Sequence, residues 1–212
     1  MPAGKGPFPA IILASGSGYD MRQPILTETA KALVAKGIAV YRFDWAYRVA
    51  GRDYARQPAD RLAEIDDMRT ALALAEHDPR VDATRIALAG KSLGSIIAWR
   101  LMRSAPEVKG AILLTPVCSR PDGRSPSIEY PELATETRPR LWIKGDVDPL
   151  CSTAAFETFA LSDGKGERLA VISGDHGFET PDHPDRNPRS FDLMLRLTTD
   201  FAETLLAPAA RR

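Results

Sequence analysis

The fold of this chain is decided by the stretch Ile86-Ala87-Leu88-Ala89-Gly90-Lys91-Ser92-Leu93-Gly94-Ser95. It runs from an apolar pattern typical of a buried strand, through the motif G-x-S-x-G, directly into a pattern typical of an amphipathic helix. A serine in so sharp a turn needs almost no side chain two residues before it and two residues after it, and Gly90 and Gly94 meet that need. The stretch therefore predicts that the Ser92 hydroxyl projects clear of a sheet.

On both sides of this stretch, short apolar runs alternate with longer segments of helical period. This alternation is typical of a parallel sheet covered by helices. We expect an α/β fold with a doubly wound, mainly parallel sheet of about six strands flanked by helices, in a single domain over residues 1–212. The candidate strands are 10–14, 38–43, 85–89, 110–114, 140–144 and 168–172.

Two further segments have clear local signals. The last helix is predicted to begin where Asn187 can act as the cap and Pro188 occupies the first helical position. The segment 119–137 is rich in turn residues. It is predicted to form the cap over the site, and this cap is expected to be small.

The composition argues against several classes of partner. The chain has 28 basic and 28 acidic residues, so its formal net charge is zero and we expect neither nucleic acid nor an anionic membrane as a partner. The apolar run 10–14 is too short for a secretory or membrane segment, which predicts a cytoplasmic protein. As a separate expectation, the protein is either a monomer or a homodimer. Cys118 and Cys151 are too few for a disulfide framework, and we expect both to be reduced thiols.

Three loops that follow predicted strands carry side chains suited to nucleophilic catalysis. They contain Ser92, Asp148 and His176, in that chain order. Ligands in such sheets bind beyond the carboxyl ends of the strands, so these loops should meet at one edge. A serine hydroxyl attacks at neutral pH only when an imidazole takes its proton, and a carboxylate must fix the tautomer of that imidazole. We predict Ser92 as nucleophile, His176 as base and Asp148 as the acid that orients it.

Alternatives stay open for two of these roles. Asp146 lies two residues before Asp148, and Asp122 follows the fourth predicted strand, so either could supply the carboxylate. His183 shares the long loop of His176 and is the alternative base. His77 ends the helix before the Ser92 strand, which places it at the opposite edge of the sheet.

Acyl transfer also needs amide donors for a developing oxyanion. The amide of Leu93, directly after the predicted nucleophile, is one such donor. The second is predicted from the glycine-rich segment after the first strand, with Ser17 favoured and Gly16 as the alternative.

Several other residues fall just past strand ends. Aromatic walls commonly line small-molecule pockets, and the predicted substrate-contacting residues are Tyr19, Trp45, Tyr47 and Phe178. Arginines could recognise an acidic acyl chain, the candidates being Arg22, Arg48 and Arg52. Lys91 is expected to pack its stem and pair with a surface carboxylate, and Cys151 to act as a small buried hydrophobe. The histidines and cysteines lack the spacing of metal ligands, so we expect no metal and no cofactor.

The chain resembles the α/β-hydrolase superfamily and, more narrowly, its dienelactone-hydrolase-like branch. The likeness covers nearly the whole chain and is carried by residues 42–48, 90–95, 145–150 and 175–178. It implies the triad Ser92, Asp148 and His176. Ser15 stands where such proteins usually have a histidine, and Ser92 stands where dienelactone hydrolases have a cysteine.

These observations predict a serine hydrolase that cleaves a small soluble ester or thioester through an acyl-enzyme on Ser92. The alternative is a binding or scaffold protein that keeps the fold without turnover, because a fold alone does not guarantee activity.

Overall fold

The computed structural model describes residues 1–53, 58–118, 126–160 and 167–208. Within them a six-stranded parallel sheet has the order β2-β1-β3-β4-β5-β6. Its strands are β1 (Phe8–Ala14), β2 (Ala39–Arg42), β3 (Val81–Lys91), β4 (Ala111–Leu114), β5 (Arg140–Gly145) and β6 (Glu167–Ile172). The strand order changes direction between β1 and β3, which opens a crevice at the carboxyl ends of these two strands.

Helices cover both faces of the sheet. They are α1 (Pro24–Ala35), α2 (Ala46–Val49), α3 (Leu62–Glu76), α4 (Leu93–Ser104), α5 (Pro126–Glu129), α6 (Thr153–Ala160) and α7 (Asn187–Leu205), with 3₁₀ turns at Leu133–Thr135 and Pro184–Arg186. Apolar residues of α1 and α7 share one core with Ala87 and Ala89 of β3. Those of α3, α4 and α6 share a second core with Ile86 and Leu88. Successive side chains of a strand alternate between faces, so β3 is buried on both.

The predicted α/β sheet of six strands is confirmed, with differences at the strand ends. The largest is in β3, which begins at Val81 rather than near residue 85. The predicted capping role of Asn187 is wrong, because Arg186 occupies the N-cap position and no side chain caps α7. The Asn187 Oδ1 instead accepts hydrogen bonds from the amide and hydroxyl of Thr180, which ties the preceding loop to the helix.

The expectation of reduced thiols is wrong. Cys118 and Cys151 form a disulfide that joins the loop after β4 to the loop after β5. The two strands are neighbours in the sheet, so residues 33 positions apart along the chain meet at one edge. Disulfides persist mainly in oxidising compartments, and this bond does not favour the cytoplasm that the N-terminal sequence predicts.

The described part of the predicted cap segment packs on the core. Tyr130 is fully buried, and its hydroxyl contacts the Ser95 hydroxyl at 2.9 Å and accepts a hydrogen bond from the Val117 amide at 3.0 Å. Residues 119–125, with the candidate acid Asp122, lie outside the described residues. Among the helices that are described, none has the length and apolarity needed to cross a bilayer.

Candidate active site

Ser92 lies in a sharp turn between β3 and α4. Its backbone has φ 55° and ψ −116°, a conformation that residues other than glycine rarely adopt. A Cβ atom on Gly90 would lie 2.1 Å from the carbonyl oxygen of Gly94, and one on Gly94 would lie 2.6 Å from the carbonyl oxygen of Ala14. Both glycines are therefore required by contact with backbone, as the sequence motif predicts.

His176 and Asp148 contact each other at the carboxyl edge of the sheet. The distance from His176 Nδ1 to Asp148 Oδ2 is 2.8 Å, and the Asp148 side chain has no solvent-exposed surface. The other carboxylate oxygen of Asp148 accepts a hydrogen bond from the Leu150 amide at 2.8 Å. A carboxylate that accepts from Nδ1–H leaves Nε2 without a proton, which is the form of imidazole that can act as a base.

The described alternatives for the acid and the base, Asp146 and His183, take no part in the contact between Asp148 and His176. Asp146 Oδ1 accepts a hydrogen bond from the Gly174 amide at 2.8 Å, so this carboxylate joins the loop after β5 to the loop after β6. His183 is exposed and precedes a 3₁₀ turn, and His77 is exposed at the C-terminus of α3.

Ser92 and His176 are not hydrogen bonded to each other in this structure. Within the described ranges, Ser92 Oγ makes no hydrogen bond to either ring nitrogen of His176. Hydrogen bonds between catalytic groups are often long or badly aligned before a substrate binds.

A cavity of 210 Å³ lies directly beside Ser92. Both predicted oxyanion donors, Ser17 and Leu93, line it with Ser92. Leu93 is the first residue of α4, so its amide is one of the donors that a helix leaves unsatisfied at its N-terminus. The remaining lining residues are Arg61, Ile96, Val117 and Leu150.

Arg61 is the charged residue among these lining residues, and no sequence pattern predicted it there. It directly precedes α3, has a φ of 62°, and is 94% buried, with its Nη1 donating to the Pro58 carbonyl oxygen at 3.2 Å. An arginine before an amphipathic helix is a common surface feature, so the sequence offered only a weak signal. Arg22, Arg48 and Arg52 do not line the cavity, and Arg22 is paired with Asp20 at 2.6 Å.

Trp45 and Tyr47 support the loop after β1 rather than lining the Ser92 cavity. The Trp45 ring nitrogen donates to the Gly16 carbonyl oxygen at 3.2 Å, and the Tyr47 hydroxyl donates to the Ser17 carbonyl oxygen at 3.0 Å. Both side chains are buried. Both residues therefore position the loop that carries Ser17, and their contact with substrate stays a prediction.

Tyr19, Phe178 and Lys91 lie together at a second cavity, of 630 Å³. Lys91 is 4% exposed and forms no ion pair with any described carboxylate, so its predicted pairing with a surface carboxylate is wrong. Burial lowers the pKa of Lys91 to about 8, against the opposing effect of the negative charges on Asp148 and Asp175. Its Nζ lies 5.5 Å from the centre of the Tyr19 ring.

Lys144 stabilises the loop after β5 that carries Asp148. Its buried ammonium donates to the hydroxyl of Thr153 at 2.7 Å and to the carbonyl oxygen of Gly145 at 2.5 Å. Gly145 itself cannot carry a side chain, because a Cβ atom there would lie 2.0 Å from the carbonyl oxygen of Gly174. Across the described residues, no group of three or more histidine, cysteine, aspartate or glutamate side chains could hold a metal ion.

Comparison with known proteins decides the family. A family model described as an alpha/beta hydrolase domain matches residues 8–202. The chain belongs to this alpha/beta hydrolase domain family. The narrower dienelactone-hydrolase-like branch stays a prediction.

Two curated proteins resemble parts of this alpha/beta hydrolase domain. The quorum-quenching protein AidA of Acinetobacter baumannii is 33% identical over 86 residues, and the esterase EstD of Thermotoga maritima is 29% identical over 122 residues. These matches cover 41% and 55% of this chain but only 28% and 29% of the two relatives.

Solved structures share the fold over almost the whole chain. An alpha-beta serine hydrolase homologue from Coxiella burnetii has a TM-score of 0.70 at 23% identity, covering 92% of this chain and 88% of its own. Est1E from Butyrivibrio proteoclasticus, in a structure with bound ferulic acid, has a TM-score of 0.75 at 17% identity, covering 98% and 94%. At these identities the likeness supports the alpha/beta hydrolase fold alone.

Proposed function

We propose that this protein is a serine hydrolase that cleaves small soluble esters or thioesters through an acyl-enzyme on Ser92. The observation that carries the proposal is the 2.8 Å contact between His176 and the buried Asp148, at the same sheet edge as the strained Ser92 turn. Membership of the alpha/beta hydrolase domain family and partial similarity to an esterase support the same reaction class.

In the proposed reaction, Ser92 Oγ attacks the carbonyl carbon of the substrate while His176 Nε2 takes its proton. Asp148 holds the imidazole in the required tautomer and stabilises its cation. Because Ser92 and His176 are not hydrogen bonded without substrate, this step requires the side chains to approach when a substrate enters the cavity. The amides of Leu93 and Ser17 are proposed to stabilise the oxyanion.

The remaining steps regenerate the enzyme. The bond from the acyl carbon to the leaving oxygen or sulfur breaks, and the leaving group takes the proton from His176. A water molecule then attacks the acyl carbon and gives one proton to His176. The bond from the acyl carbon to Ser92 Oγ breaks, His176 returns that proton to Ser92 Oγ, and the acid is released. No metal or cofactor takes part in these steps.

The size of the Ser92 cavity supports short acyl chains. Its 210 Å³ is small compared with the roughly 300 to 1,000 Å³ of pockets that enclose drug-sized ligands. We expect activity on p-nitrophenyl acetate and butyrate that falls steeply for the dodecanoate, and complete loss of this activity in Ser92→Ala. Ser104→Ala, at the exposed end of the same helix, is the matched control and should retain activity. A preference for long chains would contradict the substrate class.

The alternative is a scaffold protein without turnover. The missing hydrogen bond between Ser92 and His176 favours it. So does Ser15, which stands where proteins of the dienelactone-hydrolase-like branch that this sequence resembles usually have a histidine. A folded wild-type protein with no hydrolysis of any short ester and no reaction with a serine-directed probe would favour the scaffold.

A further inference from the structure

The 630 Å³ cavity is separate from the cavity beside Ser92. It lies between the loop before α1, the loop before α7 and the end of β3, and the residues that line the two cavities do not overlap within the described chain. Its volume falls within the range of pockets that bind small molecules. Its walls are largely apolar, with buried Ile25 and Phe178 and half-buried Tyr19 and Phe191.

Lys91 enters this cavity because of its position on β3. Ala87 and Ala89 belong to the core under α1 and α7, and Lys91 is the next residue of that alternation. Ser92 follows at the turn and lines the other cavity. The neighbouring residues Lys91 and Ser92 therefore line two different cavities.

The Lys91 ammonium has no counter-ion at hydrogen-bonding distance. The carboxylates that act on it electrostatically have other partners: Asp148 is bound to His176 and to the Leu150 amide, and Asp175 accepts from the amides of Gly177 and Glu179. Within the described ranges, Lys91 Nζ makes no hydrogen bond. A buried cation with neither a hydrogen bond nor an ion pair is costly, and an anion in the cavity would lower that cost.

We propose that this cavity binds a small monocarboxylate with an apolar aryl or alkyl body, whose carboxylate pairs with Lys91. The apolar body would contact Tyr19, Phe178 and Phe191. Glu179 and Asp192 are exposed at the rim, and their negative charges disfavour a second carboxylate on the ligand.

Isothermal titration calorimetry tests this site without relying on turnover. The probes are 4-phenylbutyrate and octanoate, with 4-phenyl-1-butanol as a neutral analogue of similar shape. Both acids should bind the wild type and Ser92→Ala with equal affinity, because Ser92 does not line the cavity. A charged hydrogen bond predicts roughly tenfold or greater weakening in Lys91→Met and for the alcohol. Lys31→Met, at an exposed lysine paired with Glu28, is the control and should bind normally.

A second measurement uses the wild type and does not depend on a variant that folds. Reductive methylation with formaldehyde, read by peptide mass spectrometry, should modify Lys91 less in the presence of 4-phenylbutyrate than in the protein without a ligand. In the presence of the alcohol, the modification of Lys91 should equal that in the protein without a ligand. Lys31 should react equally in all samples. Unchanged affinity in folded Lys91→Met, loss of binding in Ser92→Ala, or no protection of Lys91 at about 10 mM acid would overturn the proposal. Loss of hydrolysis in Ser92→Ala with normal acid binding keeps the two proposals distinguishable.

Discussion

Replacing Asp148 by asparagine tests the role of the acid with almost no change of shape. In the wild type the Leu150 amide donates to Asp148 Oδ1 at 2.8 Å, and the oxygen of the new side-chain amide can still accept this hydrogen bond. The NH₂ group of the new side chain then faces His176 Nδ1, which must become an acceptor, so the ring proton moves to Nε2. An imidazole with its proton on Nε2 cannot take the proton of Ser92.

The expected loss in kcat is about 10⁴-fold, or about 5.5 kcal/mol in activation free energy. Both hydrogen bonds of the side chain survive, so the free energy of unfolding should change by no more than about 1 kcal/mol. Initial rates with p-nitrophenyl butyrate and a urea unfolding curve measure the two quantities. Asp146→Asn is the matched control on the same loop, because its amide oxygen can still accept from Gly174 and its activity should stay within about tenfold of wild type.

Either of two results would refute the assignment of Asp148 as the acid that orients His176. One is an Asp148→Asn variant that is folded and keeps more than about a tenth of the wild-type kcat. The other is an equal loss in Asp146→Asn, which would exchange the roles of the two carboxylates.

Three further predictions concern stability. Gly90→Ala should prevent normal folding, because the new Cβ would lie 2.1 Å from the Gly94 carbonyl oxygen, whereas Gly18→Ala has open space and should fold; circular dichroism and soluble yield compare them. Lys91→Met should stabilise the fold at pH 7 by up to about 3 kcal/mol, since the pKa falls from 10.5 to about 8 on folding. The cost of burying the Lys91 charge is present below pH 8 and disappears as the pH rises to 10.5. Urea unfolding should therefore show Lys91→Met to be more stable than the wild type at pH 7 but not at pH 10.5. Equal stabilisation at both pH values would contradict the lowered pKa of Lys91. Cys118→Ser should lower the free energy of unfolding by about 3 to 4 kcal/mol, because the lost bond closes a loop with a sequence separation of 33; detection of two free thiols in the untreated wild type would contradict it.

The sheet was predictable because its strands are short apolar runs with clear local limits. The contact of His176 with Asp148 was also accessible, since both residues directly follow neighbouring strands and parallel strands end at one edge. The sequence alone could not establish whether Asp148 or Asp146 contacts His176, because two residues of separation in a tight loop leave both carboxylates plausible.

Other features depend on contacts that no local pattern encodes. Whether Cys118 meets Cys151 depends on the register of β4 against β5 and on the path of two loops. Position past a strand end predicted that Trp45 lies near the site, but not that its ring turns inward to hold the Gly16 carbonyl. The second cavity beside Lys91 arises only when the loops before α1 and α7 meet.

The most direct test of the central claim is labelling with a fluorophosphonate probe, followed by peptide mass spectrometry. A serine that is activated by His176 and Asp148 should react, and the adduct should map to Ser92. Labelling should disappear in Ser92→Ala and persist in Ser104→Ala. A folded wild-type protein that does not react, or an adduct that persists in Ser92→Ala, would contradict the account.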